Sequence, residues 1–150
     1  MEIIVKNLSR TCLQEKPFLR LIKKYSSNLK NSIHFSFDLR LKDLYGNYYF
    51  GKRTHIIKIS IPKCCFTEKK TKLDANAQKY QLISTIIHEL YHAQQKEELG
   101  PKFYSDWFSC APGVRDPDVR SSYSRCELAA RIFEDKNILK AIQYYNTCEE

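Results

Sequence analysis

Residues 86–95 read IIHELYHAQQ, with His88 and His92 four apart and Glu89 beside the first. On a helix, residues i and i+4 project side by side, so two imidazoles can share one ion at about 2.0–2.1 Å each. Glu89 is turned about 100° from His88 and need not ligate. It is placed instead to take a proton from a zinc-bound water, whose pKa the ion lowers to about 7. That is the logic of HExxH: two ligands and a general base on one helical turn. With four His and ten Glu in 150 residues, chance alone produces the pattern in about one chain in a hundred, so its surroundings have to carry weight.

A third ligand is required. No histidine follows His92, which excludes arrangements with a later histidine. His34 and His55 lie upstream in predicted strands and read as structural or surface residues. Downstream stand Asp106, Cys110, Asp116, Asp118, Cys126, Glu127, Glu134 and Asp135. The aspartates of RDPDVR read first as turn residues. A helix holds a ligand more rigidly than a loop does, which favours Glu127 at the head of ELAARIF, with Glu134 two turns on along the same face as the runner-up. The competing reading of Glu127 is a capping box, Ser124-x-x-Glu127, in which its carboxylate bonds only the N-cap amide. Tyr123 and His55 are candidates to donate to a developing oxyanion.

The elements that must position these residues follow from periodicity. Residues 13–30 carry apolar side chains at helical spacing. Residues 33–41 alternate, with Ile33, Phe35, Phe37, Leu39 and Leu41 on one face. Further strands are expected at 2–5, 48–50 and 54–61, with a turn at Tyr45-Gly46-Asn47, a bend at 51–53 and Pro62 closing the last strand. A long helix is predicted over 76–98, capped by Asp74 or Asn76 and ended by Gly100-Pro101. With His88 at zero on that helix, Leu82, Ile83, Ile86, Ile87, Leu90 and Ala93 fall between about 120° and 260° and His92 at about 40°. The histidines thus lie opposite the apolar stripe, which argues against two core histidines and for a solvated face or a metal cleft. Residues 100–121 hold two of the four glycines and three of the five prolines and read as a long functional loop, and 124–146 as a final helix. Strands grouped ahead of helices give an α+β fold in a single domain, with residues 1–47 an N-terminal strand, helix and strand of unknown role.

His88-Glu89-x-x-His92 with Glu127, Ala130 and Phe133 downstream resembles minimal gluzincin-type metallopeptidases, above all the small ImmA/IrrE-like and phage- or mobile-element-encoded peptidases. The resemblance covers about residues 48–140. It implies a zincin-like fold, with a small antiparallel or mixed sheet packed on the active-site helix and a C-terminal ligand helix. It also implies one Zn²⁺ held by His88, His92 and Glu127, with Glu89 as catalytic base. Arg131 stands where some members of that group place an Asp that orients a histidine, so the group bonded behind each ligand is left open.

Composition bounds the alternatives. Residues 1–80 hold 17 Lys+Arg against 6 Asp+Glu, while residues 81–150 hold 8 against 11. The basic half permits weak nucleic-acid binding, but no base-stacking platform or base-reading motif accompanies it, and a solvated surface is the simpler reading. Cys12, Cys64, Cys65, Cys110, Cys126 and Cys148 form no CxxC pair and are expected to be reduced. MEIIVKNLSR has too short an apolar run for a secretion signal, and no stretch is apolar enough to span a bilayer, so an intracellular protein is expected. The leading expectation is a zinc-dependent endopeptidase acting on protein or peptide. The alternative is a non-catalytic, zinc-stabilised module that docks through its basic half on nucleic acid or an acidic partner. A combined form would use that half to bring the protease to a DNA-bound target.

Overall fold

In the segment SIHFSFD every second residue is apolar, and a strand places those residues on one side. The computed structural model describes residues 1–103 and 125–147 and has this segment as β2 (Ser32–Asp38), with Ile33, Phe35 and Phe37 buried. The other elements in chain order are β1 (Ile3–Lys6), a 3-10 turn at Leu8–Arg10, α1 (Glu15–Tyr25), β3 (Gly46–Gly51), β4 (Thr54–Ser60), α2 (Ile61–Cys65), α3 (Ala75–Leu99) and α4 (Arg125–Thr147). The strands form one mixed sheet in the order β1-β2-β4-β3. β1 and β4 run parallel to β2, and β3 is antiparallel to β4. The fold is α+β.

Register explains the core. Ile33, Phe35 and Phe37 of β2 lie level with His55, Ile57 and Ile59 of β4, all on the buried side. Phe18 of α1 meets Phe35 and Phe37 edge-on at 5.5 and 5.7 Å between ring centres. Leu21 and Ile22 of α1 and Leu82, Ile83, Ile86, Ile87 and Leu90 of α3 complete this layer. Residues 1–47 therefore supply two of the four strands and a core helix.

Local chemistry sets the ends of α3. The Asp74 side chain accepts from the Ala77 amide at 2.8 Å, an N-cap worth about 0.5–2 kcal/mol. At the other end Gly100 takes φ +59 and its amide donates to the Lys96 carbonyl, which stops the helix where sequence predicts. Three expectations need correction. β2 ends at Asp38, because Leu39 is exposed and the chain turns there, with the Arg40 amide donating to Asp38. Gly46 and Asn47 belong to β3 and not to a turn. Pro62 does close β4, but it does so inside the first turn of the short helix α2, capped by Ser60, which the sequence reading did not foresee. The predicted loop at 100–121 falls almost wholly outside the described residues.

The β3–β4 hairpin turns on Lys52 and Arg53, both at positive φ (52 and 59). A two-residue turn with both central residues left-handed matches the twist of the strands it joins.

Candidate metal centre

α3 brings His88 and His92 onto one side, and α4 crosses that side with Glu127 in its first turn. The His88 and His92 Nε2 atoms lie 3.2 Å apart. The Glu127 carboxylate approaches both, with Oε1 3.0 Å from His88 Nε2 and Oε2 3.2 Å from His92 Nε2. Donor atoms around a tetrahedral ion with bonds of about 2.0–2.1 Å are separated by about 3.3 Å. The three side chains thus stand at the spacing such an ion imposes. Together they form a group that could hold a metal ion.

The remaining polar atoms fix which lone pairs converge. His88 Nδ1 bonds Glu134 Oε1 at 2.9 Å, and Glu134 is in turn held by the Ser84 hydroxyl. His92 Nδ1 bonds Gln95 Oε1 at 2.7 Å, and the Gln95 amide donates to the Cys126 carbonyl at 2.9 Å. A carboxylate and an amide oxygen can only accept, so each Nδ1 carries a proton, and when the ring is neutral its Nε2 presents a lone pair inward. Ligating histidines are held in this way in metal sites generally. With both rings neutral, two nitrogen lone pairs and a carboxylate face one another, an arrangement that a positive charge satisfies, either a metal ion or a second proton on His88.

The titration behaviour agrees. Burial pushes the His88 pKa down, but bonds to Glu127 and Glu134 outweigh it and bring it up to about 10. Burial raises Glu127 and Glu134, yet their imidazole and hydroxyl partners more than offset this and hold both below the ordinary carboxylate range. The site favours positive charge at its centre. Glu89 behaves oppositely: it is buried, and its desolvation raises its pKa despite the nearby imidazoles.

The sequence-predicted residues are distributed as follows. His88, His92 and Glu127 come together, and His88 and Glu127 line a cavity of about 550 Å³ along with Glu89, Arg131, Glu134 and Gly46. Glu134 lies behind His88 and bonds its Nδ1, and it is not part of the group formed by His88, His92 and Glu127. His55 is not available to an oxyanion, since its ring nitrogens are engaged by Tyr48 at 2.8 Å and Glu97 at 2.6 Å. His34 sits in β2, away from the cluster. Cys126 is buried and is not part of the cluster. Asp106, Cys110, Asp116, Asp118, Tyr123 and Ser124 lie outside the described residues. Cys12, Cys64, Cys65 and Cys126 form no disulfide.

The polar side of α3 also departs from expectation. His92 is only 1% exposed and Gln95 is buried. Periodicity placed His92 opposite the apolar stripe, but α4 covers that side, so α3 is buried around most of its girth over 82–95.

Two further residues were missed. Gln95 is the bond behind His92, and i+3 spacing from a ligand was the signal for it. Gly46 lets β3 approach the helix: a Cβ there would stand 2.5 Å from Thr85 Cγ2 and 3.1 Å from Glu89 Oε1.

No protein-family profile, curated protein or solved structure matches the chain. No helix among the described residues is long and apolar enough to cross a membrane.

Proposed function

We propose that the protein is a zinc-dependent endopeptidase with a zincin-like arrangement of sheet, HExxH helix and ligand helix. The observation that carries this is the convergence of His88, His92 and Glu127, two of which, His88 and Glu127, line a cavity together with the buried Glu89. Two imidazole nitrogens and one carboxylate suit zinc, and three protein ligands are the number typical of catalytic zinc sites. Among the described residues no fourth side chain joins the cluster, which favours this reading over a closed structural site.

When bound, zinc lowers the pKa of water and polarises a carbonyl. The chain's own residues do the rest. Glu89, its pKa raised by burial, takes the proton of the attacking water and returns it to the leaving amine, a role suited to a carboxylate with raised proton affinity. Glu134 and Gln95 keep the two imidazoles in register. Arg131, half-exposed on the cavity wall and 3.5 Å from Glu127, supplies the positive charge near the carbonyl oxygen that His55 does not. β3, an edge strand of the sheet, passes Glu89 at Gly46 and offers a backbone along which an extended polypeptide can align.

The test pairs metal content with turnover. The zinc-loaded parent should cleave unfolded casein, and Glu89→Gln should keep one zinc per chain while losing cleavage by at least about a hundredfold. Near-parental cleavage by Glu89→Gln would remove it as the base. Absence of zinc from the parent under saturating supply would remove the reading altogether.

A further inference from the structure

A second, larger cavity of about 750 Å³ adjoins the metal cleft, with Tyr45 and Gln81 lining both. Its wall carries Lys42, Lys63 and Lys70 against a single carboxylate, Glu68, and its apolar part includes Pro62, Phe66 and Leu73. The lysines come from three separate segments: the β2–β3 connection, α2 and the turn before α3.

The basic wall is built, not incidental. The Lys63 ammonium lies 5.3 Å from the Tyr45 ring centre, which fixes it at the junction of the two cavities. Lys70 stands in a tight turn closed by the Phe66–Lys72 bridge, the Thr67 amide to the Thr71 carbonyl at 2.8 Å and the Lys70 amide to the Thr67 carbonyl at 2.9 Å. Its φ is +62, a conformation that Gly or Asn adopts with less strain. A long cation occupies that position, on the cavity wall with Lys42 and Lys63.

We infer that this cavity is a specificity subsite that takes an acidic, partly apolar stretch of the polypeptide whose neighbouring peptide bond enters the metal cleft. The assignment rests on the peptidase reading of that cleft. Carboxylates of the bound stretch would face the three lysines, and its apolar side chains would lie on Phe66 and Leu73. The continuity of the two cavities through Tyr45 and Gln81 places this stretch on one side of the bond to be cut.

Binding can be measured apart from cleavage. The zinc-loaded Glu89→Gln protein is titrated with a short fluorescein-labelled peptide of alternating Asp and Leu, then with its counterpart carrying Asn for Asp, and anisotropy is read. The acidic peptide should bind about tenfold tighter. Adding Lys63→Glu with Lys70→Glu should erase the preference without changing zinc content. Lys42→Glu with Lys70→Glu, both at exposed positions, repeats the test should the first pair fail to fold. Equal binding of the two peptides, or indifference to charge reversal, overturns the subsite. So does displacement of the acidic peptide by a single-stranded oligonucleotide that binds more tightly to the same lysines. The parent is assayed on casein in parallel. Lysine-dependent peptide binding without any casein cleavage refutes the peptidase reading alone, and cleavage without charge preference refutes the subsite alone.

Discussion

Replacing Glu127 by Gln separates a ligand from a helix cap. The change keeps shape and hydrogen-bonding capacity, so a capping role survives it, since Gln can still bond an N-cap amide. The negative charge that lies 3.0 and 3.2 Å from the two imidazoles is removed. A protein zinc site of four ligands is worth about 10–16 kcal/mol near neutral pH, so one ligand carries about 3–4 kcal/mol, or about 10²–10³-fold in Kd. Glu134→Gln provides the internal comparison. Its Oε1 can still accept from His88 Nδ1, and the Ser84 hydroxyl can turn to accept from the new amide. Losing such a supporting group costs about 10–100-fold in metal affinity, and the retained bond puts Glu134→Gln at the lower end. Competition against a chromogenic chelator measures both variants, with circular dichroism to verify folding. Glu127→Gln should weaken zinc by at least about ten times more than Glu134→Gln. The reverse order, or a Glu127→Gln affinity within about threefold of the parent, would show that the third ligand lies elsewhere.

Gly46→Ala drives a methyl into Thr85 Cγ2 and should cost about 1–3 kcal/mol in urea denaturation. Adding Thr85→Ser, which deletes that Cγ2, should restore most of the loss, and absence of rescue would discount the close approach. Burial lowers the His55 pKa despite Glu97, so below about pH 6.5 the unfolded chain takes up a proton that folded His55 resists, and stability falls with acid. Glu97, its pKa lowered by His55 and the Lys30 and Asn31 amides in spite of burial, acts in the same direction below about pH 4.5. The gap in melting temperature between the parent and His55→Gln should therefore narrow from pH 7.5 to pH 5.5, and a widening gap would contradict the burial argument. Lys52→Asn with Arg53→Gly, at the two left-handed positions of the hairpin, should stabilise by about 1–2 kcal/mol, read as a higher urea midpoint with unchanged slope.

What was legible in the sequence divides along physical lines. Alternation located β2 though not its end, and helical spacing with Asp74 and Gly100 located α3 to within a residue at each end, because local periodicity and capping decide those features. The grouping of His88, His92 and Glu127 was legible because the i,i+4 pair is local and only one further helix offered a carboxylate beside a small-residue face. The burial of His92 was not, since a polar stripe facing water and one covered by another helix share the same period. Glu134 was weighed as a ligand because two turns return it to the face of Glu127, and only the packing of α4 on α3 sets it behind His88. Parallel pairing of β1 and β4 with β2 depends on long-range order, which no short window encodes.

One bond far from the metal reaches further than its length suggests. The Tyr145 hydroxyl, buried near the end of α4, accepts the amide of Gln14 at 2.7 Å just before α1 begins. The helix that lends Glu127 to the site is thus tethered at its far end to the opening quarter of the chain. A designer who transplanted residues 48–147 would carry the HExxH signature but leave behind this bond, together with strands β1 and β2. Inheritance faces the same constraint. A duplication or fusion that severed the opening segment would leave a readable HExxH without the two strands and the core helix that α3 and α4 pack with here.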